Sequence, residues 1–297
     1  MDEFFSIGKV TNKAIIIFAT LFATVIASQA VNLGVYDFNR TFLRSNTQAV
    51  EHVYISWAKY ESGTVSNAVT QAESRNRWLL LSLEPWVDFS ISSTGSTLFA
   101  DIASGKYDLT IFAVCKDIIA AHHPLFVRWG HEMELSSNFG RYPWAGTDAA
   151  AYVRAYRRVV TLMKANLPMS TAYFVWSPAG NINCNAYYPG DDVVDYTGCS
   201  LYSWSAYDVP RSYDGSFKAF FDPKYARLQI HGKPVIVCEL GVEKGDNQAA
   251  WFAAARAAFP NYPRLVLVVY FNAKDSVSWW PYGPIPDWSI APSIFHL

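Results

Sequence analysis

The sequence predicts a (β/α)8 barrel in a single domain over residues 31–297, and three observations carry that expectation. About eight short apolar runs alternate with amphipathic stretches along the chain. The runs are continuous rather than alternating in polarity, as for strands buried on both faces of a parallel sheet. The length beyond residue 30 suits one barrel, for which about 250 residues is typical. An open doubly wound sheet fits less well, because no strand runs into a glycine-rich nucleotide loop.

Residues 31–38 read as the first strand and 53–57 as the second. Residues 64–77 form a polar-faced helix that leads into the third apolar run, 78–83. Residues 107–122 carry apolar side chains at helical spacing, and 124–129 follow as the fourth strand. A Thr147-Asp148 pair suited to an N-cap opens a long helix to residue 166. The fifth strand, 171–176, is separated from the sixth, 196–202, by a loop rich in Gly, Asn and Pro. A helix over 214–231, a strand over 234–238, a helix over 247–259 and a strand over 265–270 complete the series. No internal repeat, low-complexity tract or second-domain linker interrupts it.

Residues 1–30 read as an export signal. Lys9 and Lys13 precede an apolar run over 14–27, and Ser28-Gln29-Ala30 places small residues at a cleavage position. The run is shorter than the roughly 20 residues of a membrane span. Asp2 and Glu3 offset the lysines, which leaves a retained anchor as the alternative. The expectation is a secreted or periplasmic monomer with no integral membrane domain after cleavage. A net charge of -1 gives no electrostatic reason to expect nucleic acid or an anionic membrane as partner. Cys115, Cys184, Cys199 and Cys238 lack a CxxC pair or metal-ligand spacing. Cys184 and Cys199 are the most local choice for a bridge, but none is predicted, since buried free Cys behaves as a small hydrophobe.

Function in a barrel sits just after the C-terminal ends of the strands. In strand order those positions hold Asp37 and Asn39; Trp57 and Glu61; Glu84 and Trp86; then His131, Glu132 and Glu134. Trp176 and Asn181, Tyr202 and Trp204, Glu239, and Asn272 with Trp279 and Trp280 follow. Carboxylates and aromatics recur, whereas Ser-His pairs and metal triads do not. Two carboxylates on facing strands are the minimum equipment for cleaving a glycosidic bond: one protonates the leaving oxygen, the other attacks the anomeric carbon or activates water. Glu132 and Glu239 are the best pair, each following a strongly apolar strand, and Glu84 is a third candidate. Any one of them could instead be a strand-end Glu paired with a neighbouring cation.

No metal or other cofactor is predicted. His131 lies in HEMEL, with Leu135 where a zincin helix needs its second His, so it is expected to hydrogen-bond substrate or the adjacent Glu, with a merely structural His as the alternative. Asp191, Asp192 and Asp195 lack a calcium-loop pattern and read as a solvated loop. Trp86, Trp144, Trp176, Trp204, Trp279 and Trp280 could line a cleft by stacking on sugar faces, with interior packing as the alternative for each.

Four ordered stretches carry a family resemblance. RWGHEM from Arg128 is similar to the acid/base motif of glycoside hydrolase family 26, the barrel family that includes β-mannanases. YFVWSPAGN from Tyr173, YYPGDDVVDYTGCSLYSW from Tyr187 and KPVIVCELG from Lys233 resemble its fifth-, sixth- and seventh-strand segments. The resemblance implies Glu132 as general acid/base and Glu239 as nucleophile of a retaining mechanism. It also implies that Tyr202 hydrogen-bonds the nucleophile, while His131 and Arg128 shape the subsite where the sugar is cleaved. Such chemistry requires carboxyls about 5–5.5 Å apart and a raised pKa at the acid.

One departure stands out. Mannanases of the family continue HEM with Asn-Gly and a nearby Trp; here Glu134 and Leu135 follow, and Tyr142 and Trp144 come later. This leaves β-mannan, cellulose-like or mixed-linkage β-glucan, β-xylan and an exopolysaccharide of the producing cell open as substrates. A catalytically silent polysaccharide-binding accessory protein is the alternative from another class, and the presence of both glutamates argues against it. A metal-dependent deacetylase fails on the missing ligand pattern.

Overall fold

In the computed structural model, residues 30–45, 47–87, 97–135, 142–146, 148–276 and 284–295 are described. Residues 1–29, which hold most of the expected export signal, and Trp279 with Trp280 lie outside them. The strands are β1 (Asn32–Asp37), β2 (Val50–Ser56), β3 (Trp78–Glu84), β4 (Leu125–Trp129), β5 (Ala172–Trp176), β6 (Tyr196–Ser203), β7 (Val235–Val242) and β8 (Leu265–Asn272). Each pairs in parallel with the next, and β1 pairs with β8, so the sheet closes into an eight-stranded barrel.

Helices α1 (Thr64–Ser74), α2 (Leu98–Ala103), α3 (Asp108–Ala121), α4 (Ala149–Asn166), α5 (Ser205–Asp208), α6 (Phe217–Leu228), α7 (Gln248–Ala258) and α8 (Pro292–Phe295) accompany the strands. Asp148 caps α4, its carboxylate accepting the Ala150 N–H at 2.8 Å. Among the described residues the link from β1 to β2 carries no helix, the link from β5 to β6 carries only a 3-10 turn, Cys184–Tyr187, and each of the other strand-to-strand links carries at least one helix. Among the described residues no helix is long and apolar enough to cross a membrane. All four cysteines are free and buried.

Strand parity sorts the side chains into two layers, because alternate residues face opposite sides of a sheet. Leu79, Leu81, Leu83, Leu125, Val127 and Trp129 join the large core between barrel and helices. Val50, Leu80, Phe126, Val175, Tyr196, Ile236, Cys238, Leu267 and Val269 form a separate cluster that fills the lumen. Packing rather than an open channel therefore closes the lower barrel, as this fold requires.

Candidate active site

Two residues beyond the lumen plug, the same inward faces turn polar. Val50 is followed in parity by His52 and Tyr54, Leu80 by Ser82 and Glu84, Phe126 by Arg128, and Tyr196 by Ser200 and Tyr202. His52, Ser82, Arg128 and Ser200 are each no more than 3% exposed. Buried polar groups at this density demand mutual hydrogen bonding.

Glu239 lies inside β7, not after it: the sequence ended this strand at Cys238, and the sheet continues to Val242. Pairing with β6 passes from Cys199 opposite Val237 to Ser200 opposite Glu239, which leaves Cys238 as an extra residue. Pairing with β8 shifts at the same place. Such a bulge re-aims side chains. Cys238 packs in the lumen plug, and the carboxylate of the next residue reaches lumen partners as well. Gly241 completes the arrangement, since a Cβ there would collide with the ring of Tyr202.

Both carboxylate oxygens of Glu239 are engaged. Arg128 Nη1 donates to Oε1 at 2.5 Å, and the Tyr202 hydroxyl donates to Oε2 at 2.5 Å. Burial pushes the Glu239 carboxyl up, but Arg128, with His131, His52 and the Tyr202 hydrogen bond, more than reverses that push and holds it well below the usual carboxylate range. Burial, reinforced by Glu239, drives the Tyr202 phenol upward, so it remains a donor.

The segment after β4 is shaped by backbone. Gly130 and Glu132 both take left-handed conformations, at φ 53° and 54°. For a residue with a side chain this costs about 1–3 kcal/mol, and such strain collects at functional sites. The Glu132 N–H donates to the Ser177 carbonyl at 2.9 Å, tying the turn to the end of β5. Glu132 is 4% exposed. Its carboxylate and that of Glu239 both act electrostatically on Arg128 and on Tyr202, so one site contains the pair. His131 Nε2 lies 4.0 Å from Oε1 of Glu84 and 4.0 Å from Oε1 of Glu239, and 3.3 Å from the Tyr142 hydroxyl.

The tryptophans divide. Trp86 is half-buried at the end of β3, with its indole N–H on Glu84 Oε2 at 3.0 Å. Trp144 is fully buried; it stacks on Tyr142 and donates to the His131 carbonyl at 2.6 Å, so it backs His131. Trp204 is 3% exposed, and its backbone N–H donates to the Asp208 carboxylate at 2.9 Å. Trp176 corrects the expectation of a sugar-stacking ring. Parity turns it outward, where it is fully buried against Tyr188 and His231.

Other expectations resolve into structure. Asp192 pairs with Arg157, Asp191 accepts the Tyr188 hydroxyl, and Asp195 accepts the Phe174 N–H. Among the described residues no His, Cys, Asp or Glu cluster could hold a metal ion. His52, Tyr54, Ser82 and Ser200 are not among the candidates that the sequence offers, because they lie inside strands rather than after them. The available signal was a polar residue two positions from an inward apolar one, as in WLLLSLE.

Comparison with known proteins agrees with this geometry. The chain is 26% identical over 247 residues to Endoglucanase H of Acetivibrio thermocellus, covering 77% of this chain and 25% of that protein. The chain therefore spans about a quarter of the length of that relative. A β-1,3-xylanase from Alcaligenes sp. is 23% identical over 146 residues, 48% of this chain and 30% of the xylanase. A GH26 β-mannanase of Bacteroides ovatus superposes with a TM-score of 0.63 at 17% identity, covering 87% of this chain and 85% of the other. An endo-β-1,4-mannanase of Cellulomonas fimi gives 0.64 at 16% identity, covering 87% and 68%. The model of glycosyl hydrolase family 26 matches residues 106–280, more than half of the chain and the span that holds Arg128, Glu132, Tyr202 and Glu239, and the chain belongs to that family.

Proposed function

We propose that the chain is a retaining endo-β-glycanase that hydrolyses a β-linked polysaccharide, with Glu239 as nucleophile and Glu132 as general acid/base. The observation that carries this reading is the state of Glu239, a buried carboxylate kept anionic by Arg128 and Tyr202 at 2.5 Å each. Glu239 attacks the anomeric carbon while Glu132 gives its proton to the glycosidic oxygen, and the leaving chain departs. Glu132, now a carboxylate, takes a proton from water as that water attacks the anomeric carbon and frees Glu239. The Arg128 and Tyr202 donors hold the nucleophile's aim and stabilise it again as it is released.

His131, Arg128, Tyr202 and Trp86 surround the sugar being cleaved in this reading, and the relatives' names make β-glucan and β-mannan the first substrates to test, with β-xylan third. Residues 1–30 act as an export signal, which places the enzyme outside the cytoplasm. The test is a screen of purified protein on these polysaccharides with anomeric configuration read by proton NMR. Glu239→Ala should lower reducing-sugar release by about 10³-fold or more while thermal unfolding stays cooperative. Glu132→Ala should cost about 10²–10⁴-fold on polysaccharide and far less on an aryl glycoside whose leaving group needs no proton. Inverted product, or full activity without Glu239, would remove the assignment.

A further inference from the structure

Beneath Glu239, Arg128 leads into the lumen to a chain of groups, Ser82, Ser200 and His52, that the proposed chemistry does not touch. Arg128 Nη1, besides donating to Glu239, donates to Ser82 Oγ at 3.2 Å, and Nη2 donates to Ser200 Oγ at 3.2 Å. Ser82 Oγ lies 2.8 Å from His52 Nε2. A guanidinium offers donors only, so Ser82 Oγ must accept from it. The Ser82 hydroxyl has its proton and a second lone pair left for its other partner, Nε2 of His52. In either neutral tautomer this hydrogen bond ties the Ser82 hydroxyl to the imidazole.

We propose that His52 and Ser82 form a positioning relay that locks the Arg128 guanidinium against Glu239. The nucleophile's ionisation and aim then depend on two residues that never meet substrate. The proposal rests on the reading of Glu239 as nucleophile. Protonation of His52 would set a second cation beside Arg128 and compete with it for Glu239. Burial first, and then Arg128, pushes the imidazole down to about 3, so it stays neutral at ordinary pH.

The titratable groups around this relay are Tyr36 on β1, Tyr54 on β2, Glu84 on β3 and Arg128 with His131 and Glu132 at β4. Tyr202 on β6 and Cys238 and Glu239 on β7 complete the set. The rings of Tyr54 and Tyr36 pack on His52 at 4.4 and 5.9 Å. Burial, followed by Glu84 and Glu239, pushes the Tyr36 phenol up to about 12, and Tyr54 is likewise raised, first by burial. Both rings therefore wall the imidazole without adding charge.

The experiment titrates the Glu239 carboxyl by carbon-13 NMR without substrate, its signal assigned by its loss in Glu239→Gln. In parallel, kcat and KM are measured against pH on the glycan that the wild type cleaves. The wild-type carboxyl should stay ionised to the acid limit of the fold. In Ser82→Ala and His52→Leu it should titrate at a higher pH, with kcat at the acid edge of the profile down at least about tenfold and KM within about twofold. The double variant should be little worse than either single one, because the relay acts as a unit. His52→Gln, whose amide can hydrogen-bond the Ser82 hydroxyl in either direction, should recover most of the loss.

An unmoved Glu239 titration in both Ser82→Ala and His52→Leu would overturn the relay, as would a His52→Gln variant as impaired as His52→Leu. A wild type that cleaves no glycan, with the titration shifts intact, would overturn the functional reading and leave the relay standing.

Discussion

At the scale of single residues, Glu239, the proposed nucleophile, links the proposed chemistry to stability. Its carboxyl titrates lower in the folded chain than in the unfolded one, near 4.3 for an unperturbed Glu. Its contribution to stability is therefore complete above that value and lost as pH falls toward the folded value. Arg128→Leu removes the cation and leaves burial to act alone, which raises the carboxyl above its ordinary range. The acid limb of kcat/KM should move up by more than about one pH unit, and stability at pH 7 should fall by roughly 3–5 kcal/mol. That deficit should shrink on acidification, as Glu239 takes up a proton; chemical denaturation at pH 5 and pH 7 reads the sign. A deficit independent of pH would mean that Arg128 acts through packing alone.

At the scale of elements, the link from β5 to β6 does without a full helix, and Glu134 explains how. Its carboxylate, 4% exposed, accepts the backbone N–H groups of Ala179, Gly180 and Asn181 at 3.0, 2.7 and 2.9 Å. The carbonyls of the same loop accept from Lys224 at 2.6 Å and Arg227 at 2.8 Å, both on α6. The residue that departs from the mannanase pattern in sequence thus anchors a crossover, and its carboxylate turns toward that loop. Glu134→Gln exchanges a charged acceptor for an amide that brings its own N–H groups, and should cost about 2–3 kcal/mol. In a chain of this size that lowers Tm by roughly 5–10 °C. Hydrogen exchange should show lost protection over residues 179–188 with β1 to β3 unchanged; loss spread evenly over the barrel would contradict a local anchor.

At the scale of the whole molecule, closure joins the most distant strands. β1 and β8 pair over six positions, Asn32 with Leu267 through Asp37 with Asn272. Asp37 accepts the N–H groups of Thr41 and Phe42 at 2.9 and 2.8 Å and the Asn272 amide at 2.8 Å. The Asn272 oxygen accepts the Ile290 N–H at 2.9 Å. These two residues, read from sequence as cleft positions, seal the seam. Contacts of such sequence separation are expensive in loop entropy and form late. Asp37→Ala should therefore raise the unfolding rate and leave the folding rate nearly unchanged, as a chevron measurement would show. A slowed folding limb would place the seam in the nucleus instead.

Strand order and strand type were legible because they depend on local composition, continuous apolar runs and caps, while four ordered motifs carry the proposal of Glu132 and Glu239 as a pair. Tertiary structure alone decided direction. Trp176 and Glu239 both stand at the end of an apolar run, yet parity turns the first into the helix layer and a bulge at Cys238 turns the second into the lumen. The His52–Ser82–Arg128 chain joins three strands whose residues are far apart in sequence, and only barrel closure brings them within hydrogen-bond reach. Composition sets which residues are buried; the register of neighbouring strands sets which of them meet.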